Sequence, residues 1–336
     1  MGPDPRGLSR RAVLATVITT APAAAALPGA NQAIVRSDLW AMKERDGRKI
    51  WLALYRKRIG EPRPGKRPLP VLFLVHGSSA SALPSFDLHV PGHGPYSMMD
   101  AFAARGFDVW TMDHEGYGRS SRTEGNSDIA SGVADLRAAS DVVARETGLT
   151  RFDFMGESSG GLRAAAFAMA APERVQRLVV DAFTYTGKGS PTLKQRAEQL
   201  DYYRTHNRRP RGRDMLLSIF TRDRPGTTDP AVAQAFADAE LVYGTTVPTG
   251  TYLDMTANLP VVDPAKLQCP MLIAKGEYDG ISSLDDIIDF FRKLPNQDKQ
   301  LAIIPGAAHS ITLSLNRQLF WHVMGCFLTM PRGEDV

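Results

Sequence analysis

Only two cysteines, Cys269 and Cys326, occur in 336 residues. That is too few for a zinc-type cysteine cluster or a multiply bridged scaffold. Charge of one sign is scarce as well: 40 basic against 36 acidic residues leave a net charge of +4. So small an excess gives no argument for a nucleic-acid partner. After the first thirty residues no apolar run approaches the roughly 20 residues a membrane-spanning helix needs, so stable membrane insertion is not expected. Internal repeats and long low-complexity segments are missing from the same region. What remains is ordinary: 43% hydrophobic and 23% charged residues, the make-up of a chain that buries a core.

Residues 1–30 read differently. Leu8-Ser9-Arg10-Arg11-Ala12-Val13-Leu14 leads into a run rich in Ala, Val, Leu and Thr that ends near Leu27. Paired arginines before a modest apolar stretch resemble a bacterial twin-arginine export signal. The expectation is recognition by the twin-arginine machinery and a periplasmic or secreted location. Thr19-Thr20 and Pro22 make the run a poor membrane anchor. Ala24-Ala25-Ala26 and Ala30 to Ala33 both offer cleavage sites, and the alternative is an extension of a cytosolic protein. In an oxidising compartment Cys269 and Cys326 could pair, yet a twin-arginine substrate folds before export. Both lie in apolar contexts, and two buried free thiols are expected.

From Ser37 onward the chain alternates strand and helix patterns. Ser37 to Lys43 and Arg48 to Arg56 flank Glu44-Arg45-Asp46-Gly47, and Asp-Gly between alternating runs marks a hairpin. A Pro-rich connector, Glu61 to Pro70, precedes the apolar run Val71 to Val75. Phe107–Met112, Phe152–Met155, Arg177–Val180, Met271–Lys275 and Leu301–Ile304 repeat that run. Uninterrupted apolar runs suit strands covered on both faces of a parallel sheet. Helical patterns fall at Ser97–Ala104, Ile129–Thr147, Gly161–Ala170, Leu284–Leu294 and Ile311–Leu328. The chain therefore reads as α/β. One interval, about 186–265, has no strong strand and several helical stretches, and reads as a helical cap inserted between 34–185 and 266–336.

The strand Phe152–Met155 runs into Gly156-Glu157-Ser158-Ser159-Gly160-Gly161, with a helix pattern beyond. A G-x-S-x-G turn between strand and helix is tight enough to exclude side chains two residues either side of the serine. Gly156 and Gly160 meet that demand and leave the Ser158 hydroxyl projecting. A serine nucleophile needs a base and a carboxylate to orient it. His309 stands in the loop after the last strand, at the same sheet edge as the turn. His322, in the last helix, reads as a packing residue and His206 as a solvated one. Asp279, in Lys275-Gly276-Glu277-Tyr278-Asp279-Gly280, is preferred as the acid over Glu277. Asp181 is its rival, and Asp285 and Asp286 read as helix caps. Backbone N–H groups of Ser159 and Ser78 are the candidate oxyanion donors. His76 reads as a loop organiser, and His89 and His93 near Asp87 lack a metal-site pattern. No metal and no cofactor are expected.

The order Ser158, Asp279, His309, the loop His76-Gly77 and the segment Asp113-His114-Glu115-Gly116-Tyr117-Gly118-Arg119-Ser120 resemble the α/β-hydrolase superfamily. His114-Glu115 departs from the commoner arginine-containing form of that segment. The resemblance implies a mostly parallel eight-stranded sheet with an antiparallel first strand, flanked by helices, and a lid before the penultimate strand. It further implies a serine hydrolase, with carboxylic ester cleavage through an acyl-enzyme as the leading expectation. An amide or carbon–carbon bond is the enzyme alternative, and a binding protein without turnover is the other. Ten basic residues between Lys188 and Arg224 face four acidic ones. They read either as a solvated face or as a rim attracting small esters with a free carboxylate. Tyr202, Tyr203, Phe220, Tyr243, Tyr252 and Met255 are candidates for pocket lining or for cap packing.

Overall fold

The computed structural model describes residues 33–62, 65 and 67–331. The paired-arginine segment and its cleavage sites lie outside the described residues. The hairpin forms where Asp-Gly marks it: β1 (Ile34–Arg45) and β2 (Arg48–Ile59) pair in register from Ile34↔Ile59 to Arg45↔Arg48. Both turn residues take left-handed backbone, Asp46 at φ 52° and Gly47 at φ 73°, the geometry whose twist matches the flanking strands. Each strand is longer than the sequence pattern indicates, because antiparallel pairing carries it past the alternating stretch.

Six further strands complete the sheet: β3 (Val71–Val75), β4 (Asp108–Met112), β5 (Phe152–Glu157), β6 (Val175–Asp181), β7 (Met271–Gly276) and β8 (Lys299–Ile304). Their order is β1-β2-β4-β3-β5-β6-β7-β8. β1 and β2 run antiparallel, and every pair from β4 to β8 runs parallel. The apolar runs divide as a two-faced sheet requires. Val71, Phe73 and Val75 join one core, with α2 (Ile129–Thr147) and α3 (Ser159–Ala170). Leu72 and Leu74 join the other, beneath α1 (Met98–Ala103) and the terminal helix Arg317–Leu328. That last helix is shorter than the pattern Ile311–Leu328 implies. Ile311–Leu313 forms a separate single turn, and the residues between end it. Cys269 is half-buried and Cys326 exposed, both free. The expectation of two buried thiols therefore fails at Cys326, which lies on the outer face of the terminal helix.

The insertion between β6 and β7 is mostly helical, with α4 (Pro191–Ala197), α5 (Leu200–Thr205), α6 (Arg213–Ser218) and α7 (Pro230–Leu241). It also holds a two-stranded ribbon, Arg208–Pro210 against Thr246–Pro248. Three-residue strands lack the length to show an alternating pattern. Leu216, Phe220, Val232 and Phe236 form the cap's own core and pack on Leu88, Val90 and Leu313 of the body. The Arg211–Glu240 ion pair is buried where the cap meets the body. Glu240 also accepts from Ser81 N–H at 2.9 Å and Ser81 Oγ at 2.7 Å.

Lys43 of β1 reaches a second buried cluster. Its Nζ lies 2.7 Å from Glu115 Oε2 and 2.7 Å from Asp135 Oδ1, while Asp135 Oδ2 lies 3.0 Å from His114 Nδ1. This cluster anchors the Asp113–Ser120 loop to α2. Removing the cation leaves the buried Asp135 carboxylate without a counter-ion, while Glu115 keeps Arg45 at 2.6 Å, so Lys43→Met should cost about 3–5 kcal/mol. Urea unfolding measures it, and a loss below about 1 kcal/mol would mean the cluster contributes no more than a surface pair.

Candidate active site

β5 ends at Glu157, and Ser158 turns the chain into α3 with φ 56° and ψ −124°. A β-carbon-bearing residue rarely adopts this backbone, so packing must hold it. Ser158 N–H donates to the Asp181 carbonyl at 2.7 Å, and its own carbonyl accepts from Gly161 at 2.9 Å. A Cβ on Gly156 would collide with the Gly160 carbonyl, and one on Gly160 with the Val75 and His76 carbonyls. Both glycines are therefore steric requirements of the turn, and β3 and α3 meet at van der Waals distance.

His309 Nδ1 and Asp279 Oδ1 are 3.0 Å apart, and Ile281 N–H donates to the same oxygen at 2.9 Å. Gly276 allows this: a Cβ there would strike the Ala308 carbonyl, so the loops after β7 and β8 touch. Burial alone would push the Asp279 carboxyl up. The His309 charge and hydrogen bond, the Ile281 N–H and Lys275 outweigh it and hold the group below its usual value. Asp181, the rival acid, bonds neither to His309 nor to any other described side chain. Burial, then the nearby Glu157 and Asp279 charges, push it well above the carboxylate range. Glu277 turns away and accepts from Gly306 N–H at 2.8 Å. Ser158 and His309 share one cavity. Their hydroxyl–imidazole bond is not among the hydrogen bonds of this conformation, and such bonds often tighten only around substrate.

Ser159 opens α3, so its N–H has no carbonyl partner one turn back within the helix. Ser78 faces it: the two hydroxyls are 2.7 Å apart, and Thr251 of the cap donates to Ser78 Oγ at 2.9 Å. Tyr117 Oη donates to the Ser78 carbonyl at 2.9 Å. The two candidate oxyanion residues are thus fixed to each other through their side chains. His76 accepts from His114 N–H at Nε2 (3.1 Å), which leaves its Nδ1 proton for the Gly77 carbonyl at 2.8 Å. Burial lowers its pKa well below the ordinary value. A neutral ring bonded at both nitrogens is a loop brace.

Other positions depart from expectation. His322 is exposed rather than packed, since it lies on the outer face of the terminal helix. His93 lies 2.9 Å from Asp229. None of the six Tyr, Phe and Met candidates lines the cavity of Ser158; Ile219, Phe236 and Leu313 do. Tyr203 and Tyr252 pack with Val247 of the ribbon and with Tyr117 of the body, where the cap meets the core. Asp286 does more than begin a helix. Ser283 caps that helix, and Asp286 accepts from Tyr185 and Thr186 N–H at 2.8 and 3.0 Å, fixing the chain where the cap departs. Only the Ser-x-x-Asp spacing could have signalled it. Asp223, Asp279 and His309 offer ligand atoms within 4.8 Å of one another. Asp279 and His309 are already bonded together through Oδ1 and Nδ1, which accounts for their closeness without a cation.

A family model described as serine aminopeptidase, S33, matches residues 96–316, about two thirds of the chain. The chain belongs to that family. Within the α/β-hydrolase superfamily, this S33 member has the fold of a serine-hydrolase enzyme. It resembles a bromoperoxidase from Bacillus anthracis at TM-score 0.64 and 18% identity, over 87% of this chain and 99% of that one. An esterase from Thermogutta terrifontis gives 0.60 and 20%, over 86% and 97%. A curated 2-hydroxy-6-oxononadienedioate/2-hydroxy-6-oxononatrienedioate hydrolase from Paraburkholderia phymatum is 35% identical over 118 residues, 32% of this chain. The match spans about a third of that relative's own length, 34%.

Glu157, beside the serine, gives a test of site electrostatics. Burial, with the Asp279 charge, pushes its carboxyl up to about 7 against a weak bond from Thr312. A carboxyl raised from 4.5 to about 7 on folding stabilises the fold fully below the lower value and loses that stabilisation as pH rises through the higher. Glu157→Gln should therefore gain on wild type between about pH 5 and about pH 8, approaching 3 kcal/mol. Urea unfolding at both pH values reads it; a difference independent of pH contradicts the assignment.

Proposed function

We propose that this S33 member hydrolyses small carboxylic esters through an acyl-enzyme on Ser158. The observation that carries the reading is the 3.0 Å His309–Asp279 bond opening onto the same cavity as a serine in elbow geometry. His309, oriented by Asp279 through Nδ1, takes the Ser158 proton at Nε2 as Oγ attacks the ester carbonyl. The N–H groups of Ser78 and Ser159 meet the developing oxyanion, each worth about 3 kcal/mol in the transition state. His309 returns the proton to the departing alkoxide, then activates water to release the acid. Residues 186–265 form the lid in this proposal. A cavity of only about 40 Å³ for the centres of water-sized molecules supports a lid that opens to admit substrate.

The second reading, carbon–carbon cleavage by the same triad, draws its support from the curated dienedioate hydrolases. A series of p-nitrophenyl esters from acetate to decanoate separates the two. Short esters should turn over, Ser158→Ala should lose turnover with thermal stability unchanged within about 1 kcal/mol, and Asp279→Asn should fall by about 10⁴. No turnover from folded wild type would move the assignment to the second reading.

Export by the twin-arginine route belongs to the same proposal, supported by Arg10-Arg11 before the apolar run. Replacing both arginines with lysine should abolish periplasmic accumulation in cell fractionation. Unchanged accumulation would point to another route.

A further inference from the structure

We propose that Arg196 and Arg222 of the cap form a carboxylate-recognition subsite beside Ser158, so that the preferred substrates are esters carrying a free carboxylate. This rests on Ser158 as the nucleophile and deepens that reading by naming the substrate class.

Four of the cap's basic residues are already engaged. Arg211 pairs with Glu240, Arg213 with Asp238 and Arg204 with Asp201, while Arg208 donates to the Gly116 and Thr246 carbonyls. Arg196 and Arg222 differ, because both line the cavity that contains Ser158 and His309. Arg196 Nη1 is buried and has no hydrogen-bond partner among the described residues, and no described carboxylate pairs with this guanidinium. Its contact is the Tyr252 ring, 4.9 Å below. Arg222 forms an ion pair with the buried side chain of Asp223, whose Oδ1 lies 3.6 Å from Nε, too far for a direct hydrogen bond.

Burial, then the charge of Arg222, lowers Arg196 to about 10, so it stays cationic at neutral pH. Arg196 is half-buried, and a partly desolvated cation without a counter-ion carries a cost that the surroundings sustain by fixing it. Tyr252 is wholly buried, holds Arg209 on its ring at 4.7 Å as well, and bonds through its hydroxyl to Ser79 Oγ at 2.7 Å. Ser79 adjoins Ser78 on the oxyanion loop, so the guanidinium keeps its place relative to the reacting carbonyl. Glu157, the acid in the cavity wall, is bonded to Thr312 instead.

A planar guanidinium with free N–H donors matches a carboxylate in a two-bond fork. Ile219, Phe236 and Leu313 supply the apolar wall for the short chain between carboxylate and ester. A neutral ester would fill the cavity but leave the cation unpaired. A half-ester of a diacid would satisfy both ends.

The test compares kcat/KM for ethyl hydrogen succinate and diethyl succinate near neutral pH, with succinate binding to Ser158→Ala by calorimetry alongside. Wild type should favour the half-ester by about tenfold or more. That ratio should fall about tenfold in Arg196→Gln, mainly through KM, and less in Arg196→Lys. Succinate should bind Ser158→Ala, and adding Arg196→Gln should abolish the heat. Equal or better turnover of the diester by wild type overturns the subsite, as does a ratio unchanged by both Arg196→Gln and Arg222→Gln. If Arg196→Gln does not fold, the wild-type ratio and Arg222→Gln decide. If neither ester is cleaved, the hydrolase reading fails, and calorimetry decides the subsite: Arg196-dependent succinate binding upholds it and no binding overturns it.

Discussion

The close approach of β3 to the start of α3 is the constraint on which the site depends. Gly160 is in contact with the Val75 and His76 carbonyls, and Gly156 with the Gly160 carbonyl. With no side chain at either position, the chain can reverse within one residue and hold Ser158 at φ 56°. The same approach brings the loop after β3 against the helix N-terminus, where Ser78 and Ser159 join through their hydroxyls. The geometry of the candidate nucleophile and that of the candidate oxyanion donors are therefore one packing event, and a methyl group at either glycine would disturb both.

A second contact of this type supplies the candidate base. Gly276 at the end of β7 lies against the Ala308 carbonyl, which lets Asp279 and His309 meet across adjacent loops. Parallel pairing of β7 with β8, Gly276 opposite Ile304, sets the register for that meeting. The acid at the end of β6 has no such partner, although it is nearer in sequence to the serine. Asp181 is committed instead through its backbone carbonyl, which receives the Ser158 N–H.

The cap attaches through polar anchors placed at its own ends and over the oxyanion loop. Asp286 binds the backbone where the chain leaves β6. Glu240 binds Ser81, Tyr252 binds Ser79 and Thr251 binds Ser78. Each of the last three joins a cap residue to the segment that carries the candidate oxyanion donor. Cap position and oxyanion geometry are consequently linked through side chains that sequence pattern does not distinguish from ordinary polar residues.

Sequence by itself determined the layered architecture. Apolar runs bounded by turns, a hairpin at Asp46-Gly47 and a helix following Gly-Glu-Ser-Ser-Gly are local signals, because backbone sterics and periodic burial act over a few residues. Ser158, Asp279 and His309 were legible for the same reason: each stands just beyond a readable strand, and parallel strands deliver their ends to one edge. Tertiary structure alone decided which arginines of the cap turn inward. It alone packed Tyr203 and Tyr252 against Tyr117 of the body, and it left Cys326 and His322 on the outer face of a helix whose apolar side was evident. Those outcomes depend on contacts between segments far apart in the chain, where shape and the pairing of buried charge, rather than local periodicity, select among similar side chains.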